Sequence, residues 1–227
     1  MADARGRPLE ERNVANKGRR RRLELRIKRI FDIGTSVLAL LILSPVALMA
    51  ALAIAITMGR PIIFKQKRIG HQGRIFVMLK FRTMTEAQDP MGGLLPDELR
   101  LTRLGRVLRT TSLDELPECV NVLRGDMSVV GPRPLLAEYK DLYSQQQWRR
   151  HEMPPGIAGP VLAMGRNALG WDEKFEWDIW YVENWSLWLD LRILVRTAMQ
   201  VLGGRGVNAK GYATMPRFQG NRGRDRS

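Results

Sequence analysis

Cysteine and histidine are almost missing from this chain of 227 residues, which holds one cysteine, Cys119, and two histidines, His71 and His151. A lone cysteine excludes a disulfide framework and any Cys-rich zinc module, and two separated histidines leave little for a His-based metal site. Acidic residues are scarce as well: 23 Asp and Glu stand against 37 Lys and Arg, for a formal charge of +14. Internal repeats are absent. The remaining inventory points to a reducing compartment and to chemistry done by carboxylates and cations. The length fits one ordinary domain with appendages, and 44% apolar residues argue against wholesale disorder.

The positive charge is unevenly spread. Residues 1–22 carry a net +5 and residues 203–227 another +5, so the 180 residues between them hold only +4. Clustered cations first suggest nucleic acid. Here they lie in two polar tails, around Arg19–Arg22 and Gly220–Ser227, beside a hydrophobic segment. That arrangement favours anionic lipid as the partner, at about 1 kcal/mol per basic residue near the surface, and disfavours nucleic acid.

From Ile33 to Gly59 there are 27 residues without a charge. As one helix they reach about 40 Å, more than the roughly 30 Å hydrocarbon core requires. The run is too long for a cleavable signal, and Pro45 interrupts it. Two topologies remain open, a spanning anchor and a re-entrant hairpin. Eight cations between Lys17 and Arg29 precede the run and seven between Arg60 and Arg82 follow it. Both flanks therefore qualify for the cytoplasmic side. Ser44-Pro45 sits near the middle, where proline must bend or break a helix and a serine hydroxyl can satisfy a freed backbone group. A helix–break–helix that enters and leaves on one face accommodates both facts.

The expected organisation is a basic flexible tail over 1–22, a re-entrant membrane hairpin over 23–59, a catalytic domain over 60–202 and a second basic flexible tail over 203–227. Pro61–Gln66 and Gly73–Leu79 read as short strands joined by a Gly70–Gly73 turn. Residues 84–98 read as a mobile loop. Leu101–Leu108, Leu116–Leu123, Leu135–Trp148 and Trp171–Leu202 have helical apolar spacing. The class is α+β, predominantly helical, with amphipathic helices at the membrane interface. Five of six tryptophans fall between Trp171 and Trp188, which suits either an interfacial belt or a packing stripe.

Arg109-Thr-Thr-Ser-Leu-Asp114-Glu115-Leu-Pro117 is the most chemically loaded segment. Pro117 belongs in a first helical turn, so a helix should begin near Ser112–Asp114, and Ser112 with Glu115 matches a capping box. On that reading the acids are ordinary helix stabilisers. The functional reading adds Arg103, Arg106, Arg109, Arg124 and Arg133, all within thirty residues of the pair. Guanidinium forks match phosphate oxygens, and a carboxylate can attack phosphorus to give an acyl phosphate. A divalent ion such as Mg²⁺ would screen the repulsion between carboxylate and phosphate.

Several motifs occur in order: Lys28-Arg29-Ile-Phe-Asp32, Ser44-Pro45, Gly59–Gly70, Lys80-Phe81-Arg82-Thr83-Met84, Leu101–Arg106, Ser112–Pro117, Asn121–Ser128 and Val130–Pro134. From about residue 26 to about residue 202 the chain resembles the bacterial sugar transferase family, the monotopic polyprenyl-phosphate phosphoglycosyl transferases. The resemblance implies an enzyme of the bacterial cytoplasmic (inner) membrane with its catalytic domain on the cytoplasmic face. It would move a sugar-1-phosphate from a UDP-sugar to undecaprenyl phosphate, releasing UMP, as the first membrane step of surface glycan synthesis. Asp114 aligns with the nucleophile and Mg²⁺-associated acid, and Glu115 with its dyad partner. Lys80, Arg82, Arg109, Arg133 and Arg166 align with substrate-binding cations, and Ser44 and Pro45 with the membrane break. A homodimer is a further expectation. The expected type is that of the small members of the family, in which no large amino-terminal membrane domain precedes the matched region. One departure stands out: after Pro155-Gly156-Ile157 the family continues with Thr-Gly and a Gln-Val-Asn-like triplet, whereas this chain has Ala158–Met164. That segment motivates the alternative of an inactive or scaffolding relative, against which the intact Asp114-Glu115 pair argues.

Overall fold

The computed structural model describes residues 9–163, 169–202 and 217–220. Helix α1 runs from Leu9 to Met58 without a break in helical structure, with Pro45 inside it. It begins within the segment set aside as a basic tail. Ser44 Oγ donates to Leu41 O at 2.9 Å. That carbonyl is the acceptor for which Pro45 has no N–H, so the serine replaces the missing rung and helical structure continues through the proline.

One stripe of α1 faces the rest of the molecule on both sides of Pro45. Lys28, Asp32, Ser36, Ala50 and Ile54 are buried, and Leu40, Leu43, Ala47 and Met58 pack on the same core. Their three- and four-residue spacing is that of a single helical face. The opposite face, Leu38, Leu41, Ile42, Leu48, Met49, Leu52 and Ile56, is exposed and apolar. Residues 23–58 are long and apolar enough to cross a membrane by length and composition.

Strands β1 (Ile63–Ile69) and β2 (Ile75–Phe81) form the expected antiparallel hairpin. The outer edge of β2 is closed by a side chain: Asn121 accepts from Leu79 N–H at 3.0 Å and donates to Val77 O at 2.8 Å. Residues 84–98, expected to be mobile, fold back on themselves. Asp89 Oδ1 accepts from the N–H of Met91 and of Gly93, both at 2.8 Å, and Leu95 N–H donates to Ala87 O at 3.0 Å. Two short helices follow, α2 (Asp97–Arg100) and α3 (Arg103–Thr110), then α4 (Glu118–Arg124). Gly105 lets α3 lie on β2's exit, since a Cβ there would sit 1.9 Å from Thr83 O.

Strands β3 (Ser128–Val130) and β4 (Gly156–Ala158) pair in parallel, a contact the sequence pattern did not signal. The helix expected over 135–148 is instead a 3₁₀ turn at Ala137–Leu142 and a single turn α5 (Gln145–Trp148), begun afresh by a Ser144–Gln147 capping box. Helix α6 (Pro160–Ala163) precedes α7 (Trp171–Asn184) and α8 (Leu187–Leu202). Ala158 and Ala163, within the segment that departs from the family pattern, are buried in the core beneath α7 and α8. The tryptophans divide between the two roles. Trp171 and Trp185 are packed inward, whereas Trp180 and Trp188 are exposed.

The tail expected to be flexible over 203–227 holds an ordered stretch. Phe218 is buried against Tyr139 and Phe175. An aromatic ring removed from water is not a solvated tail residue.

Candidate active site

The chain leaves α3 through Ser112, whose φ of 56° is left-handed and uncommon for a residue with a side chain. This turn redirects the backbone into a 3₁₀ turn over Leu113–Glu115, and Pro117 then precedes α4. The expected capping box is not formed. Ser112 makes no side-chain cap, and Glu115 points to cations instead of back to the Ser112 backbone.

Lys80 on β2 donates to Glu115 Oε1 at 2.6 Å, and its Nζ lies 3.1 Å from Glu118 Oε1. Arg133, between Pro132 and Pro134 beyond β3, donates from Nη2 to Glu115 at 2.9 Å. Burial pushes the Glu115 carboxyl up, but Lys80 and Arg133 together outweigh it and bring it down to about 2. Burial pushes Glu118 up to about 7, with Lys80 offsetting part of the effect. Glu115 is therefore a locked anion that fixes two cations in place.

Asp114 is 7% exposed. Burial raises its pKa, Lys80 opposes this, Glu115 adds to it, and Arg109 and Arg133 oppose it. A carboxylate so placed is desolvated yet close to three cations, and the net effect makes it more basic than a surface aspartate. Arg109, in the last turn of α3, donates from Nε to Thr83 Oγ1 at 3.1 Å. Arg68, Met78, Lys80, Glu118, Arg133, Pro134 and Gly156 line a recess beside the dyad.

The structure thus brings Lys80, Arg109 and Arg133 to Asp114 and Glu115. Arg82 sits apart. It donates to Met58 O at 3.3 Å, to Arg60 O at 3.1 Å and to Met84 O at 3.1 Å, and so ties down the exit of α1. Arg166 lies outside the described residues. Glu118 and Arg68 were not singled out in the sequence. Glu118 could have been found, because it follows Glu115 by one helical turn and shares its face. Among the described residues no three His, Cys, Asp or Glu side chains gather as a metal site. Asp114 is the carboxylate that would hold Mg²⁺, an ion that keeps several waters and takes one or two carboxylates together with substrate phosphates.

A second buried cluster anchors α1. Lys28 donates to Asp190 Oδ2 at 2.6 Å and to Val130 O at 2.9 Å, and Tyr181 donates to Asp190 Oδ1 at 2.6 Å. Ser128 Oγ and Val129 N–H each donate to Asp32 Oδ1 at 3.0 Å. Arg29 donates to the last carbonyls of α4, Val122 O and Leu123 O, where a cation also suits the helix dipole.

Residues 23–204 match the family model described as "Bacterial sugar transferase". The chain is 48% identical over 195 residues to "Uncharacterized sugar transferase EpsL" of Bacillus subtilis (strain 168), covering 86% of this chain and 96% of that protein. It is 39% identical over 194 residues to "Undecaprenyl-phosphate galactose phosphotransferase" of Salmonella typhimurium, covering 78% of this chain and 40% of that protein. It is 40% identical over 187 residues to "UDP-glucose:undecaprenyl-phosphate glucose-1-phosphate transferase" of Caulobacter vibrioides, covering 77% of this chain and 69% of that protein. The chain thus spans nearly all of one relative and less than half of another.

Proposed function

The chain belongs to the bacterial sugar transferase family, and on that premise we propose that it transfers a sugar-1-phosphate from a UDP-sugar to undecaprenyl phosphate, releasing UMP, as the first membrane step of a surface glycan. The observation that carries this reading is Asp114, buried among Lys80, Arg109 and Arg133 beside the locked Glu115. In the first half-reaction an Asp114 oxygen attacks the phosphorus that bears the sugar. The bond from that phosphorus to the bridging oxygen breaks, and UMP leaves with the electron pair. In the second, a phosphate oxygen of undecaprenyl phosphate attacks the same phosphorus, the aspartyl ester breaks, and Asp114 is regenerated. Splitting one displacement into two lets the donor and the acceptor meet Asp114 in turn. Bound Mg²⁺ would supply charge neutralisation between Asp114 and the donor's phosphates. Arg133 and Arg109 orient those phosphates, and Glu115 holds Lys80 and Arg133 in place.

The same proposal makes the protein monotopic, with α1 dipping into the cytoplasmic leaflet of the inner membrane and returning. Its support is the anchoring of both flanks on one domain: Lys28, Arg29 and Asp32 before Pro45, Ile54 and Met58 after it. A straight helix would set Arg29 and Met58 about 40 Å apart, the thickness of a bilayer with its headgroups. Pro45 lies on the exposed face, and a proline ring there crowds the Leu41 carbonyl and favours a bend away from its own side, toward the domain. The bilayer then presents the polyprenyl phosphate at the level of Asp114, while the UDP-sugar arrives from the cytosol.

The test is a trapping experiment with a UDP-sugar labelled at the sugar-bearing phosphorus. The label should become acid-stable on the protein without acceptor, and Asp114→Asn should abolish both label and UMP release. Turnover by Asp114→Asn at a substantial fraction of the unmodified rate would remove Asp114 as nucleophile.

A further inference from the structure

Phe218 lies beyond residue 204, where the family match ends, and yet it is 6% exposed. Four aromatic rings surround it, with centroids 5.0 Å away for Phe175, 5.4 Å for Trp171, 5.7 Å for Tyr139 and 5.9 Å for Tyr143. Its backbone N–H donates to Tyr139 Oη at 3.2 Å. Gly220, at φ +76°, turns the chain beside Leu142.

These contacts reach the support of Arg133. Arg150 donates from Nη2 to the Arg133 carbonyl at 2.7 Å. The same guanidinium forms a buried ion pair with Asp178 on α7, at 2.6 Å from Nη2 and 3.0 Å from Nε. It also lies over the Phe175 ring, 5.7 Å from its centroid. Phe175 is in turn the ring closest to Phe218. Tyr139 sits in the turn that follows Arg133 and Pro134. From Phe218 the contacts therefore run through Phe175 and Arg150 to Arg133, whose side chain meets Glu115.

We propose that Phe218 is a positioning residue for the active site: it wedges the turn after Arg133 against the first turns of α7 and so fixes Arg133 toward the donor's diphosphate. The role rests on the phosphoglycosyl transferase reading. Removing the ring leaves a void among four aromatic side chains, and the Tyr139 turn and α7 can relax into it. The Arg133 side chain is half-exposed and held at its tip by Glu115, so its aim also follows the position of its backbone. A displaced guanidinium weakens its hold on the donor's phosphates in the ground state and the transition state alike, which appears in KM more than in kcat.

The experiment uses the full chain in lipid nanodiscs, comparing the unmodified protein with Phe218→Ala, Phe218→Leu, Arg133→Lys and the Phe218→Ala/Arg133→Lys double variant. UMP release is measured against concentration of the UDP-sugar turned over fastest, and amide hydrogen exchange is measured by mass spectrometry. Phe218→Ala should raise KM for the donor about fivefold with kcat changed less than about twofold, and Phe218→Leu should restore most of the loss. In the Arg133→Lys background the same change should add less than about twofold. Exchange should quicken over residues 133–142 and not over α8. A lower melting temperature with unchanged KM, or full additivity with Arg133→Lys, would overturn the proposal. If the unmodified protein releases UMP from no UDP-sugar, the enzymatic reading fails separately. Exchange then decides: a selective rise over 133–142 supports the wedge, and an unchanged rate there overturns it.

Discussion

Glu115 and Glu118 share one lysine and titrate in opposite directions. Glu115 is held at about 2, below its ordinary 4.5, because Lys80 and Arg133 outweigh burial. Its contribution to stability is present above 4.5 and is lost as pH falls toward 2. Glu118 is pushed up to about 7 because burial outweighs Lys80. The folded state therefore holds the Glu118 proton more tightly than the unfolded chain, and stability is lost as pH rises from 4.5 to about 7. Glu118→Gln keeps the shape and removes that proton. Its melting temperature relative to the unmodified protein should climb between about pH 5 and pH 7.5, and a flat difference would show that Glu118 ionises normally. Asp114 belongs to the same argument. Its raised pKa places the acid limb of kcat above the ordinary aspartate range, and Lys80 is the cation that most opposes the rise. Lys80→Met should move the limb to higher pH while lowering the plateau, as a pH–rate profile of UMP release would record. An unmoved limb would assign it to another group.

At the scale of single elements, α1 shows how a proline can sit in a long helix without ending it. Ser44 supplies the Leu41 carbonyl with a donor, so helical structure persists through Pro45. Pro45→Ala should straighten the helix and separate its flanks. Cysteines placed at Leu23 and Arg60 in the Cys119→Ser background, treated with an impermeant maleimide in spheroplasts, should both be protected in the unmodified topology. The Pro45→Ala protein should expose one of them, and labelling of one flank without the substitution would establish a spanning helix. The uncharged run, the β1–β2 hairpin and the helices around 101–123 were legible because each is set by local pattern, such as charge exclusion, alternation or three-and-four spacing. The continuity of α1 was less so, since a side-chain hydrogen bond of 2.9 Å decides it. The left-handed turn at Ser112 was hidden for a different reason. Capping chemistry predicted a helix start there, and the pull of Lys80 and Arg133 on Glu115 won instead. The β3–β4 pair is three residues on each strand and depends on Gly131 and Gly156 approaching backbone to backbone, which only the tertiary fold reveals.

Over the whole molecule, the charge of the sequence and the apolar exposure of the described helices suit the same partner, a lipid surface. Basic residues crowd both ends of the sequence, while apolar side chains stand exposed along α1 and on Trp188, Leu191, Val195 and Met199 of α8. Cations bind anionic headgroups through interactions that salt screens, with a Debye length near 3 Å at about 1 M. Apolar burial in the acyl region is not screened and strengthens slightly as salts are excluded from the protein surface. The two contributions can therefore be separated by ionic strength. Reconstituted on vesicles of a zwitterionic lipid, the full chain should float with the lipid at about 1 M salt if the apolar side chains exposed on α1 insert into the leaflet. Adding anionic lipid should speed association at low salt, and this gain should vanish at about 1 M. If salt alone released the protein from zwitterionic vesicles, the apolar face of α1 would be packing against protein and the basic ends would be the true attachment. Retention through the salt wash, with only the association rate responding to lipid charge, assigns holding to α1 and α8 and recruitment to the cations.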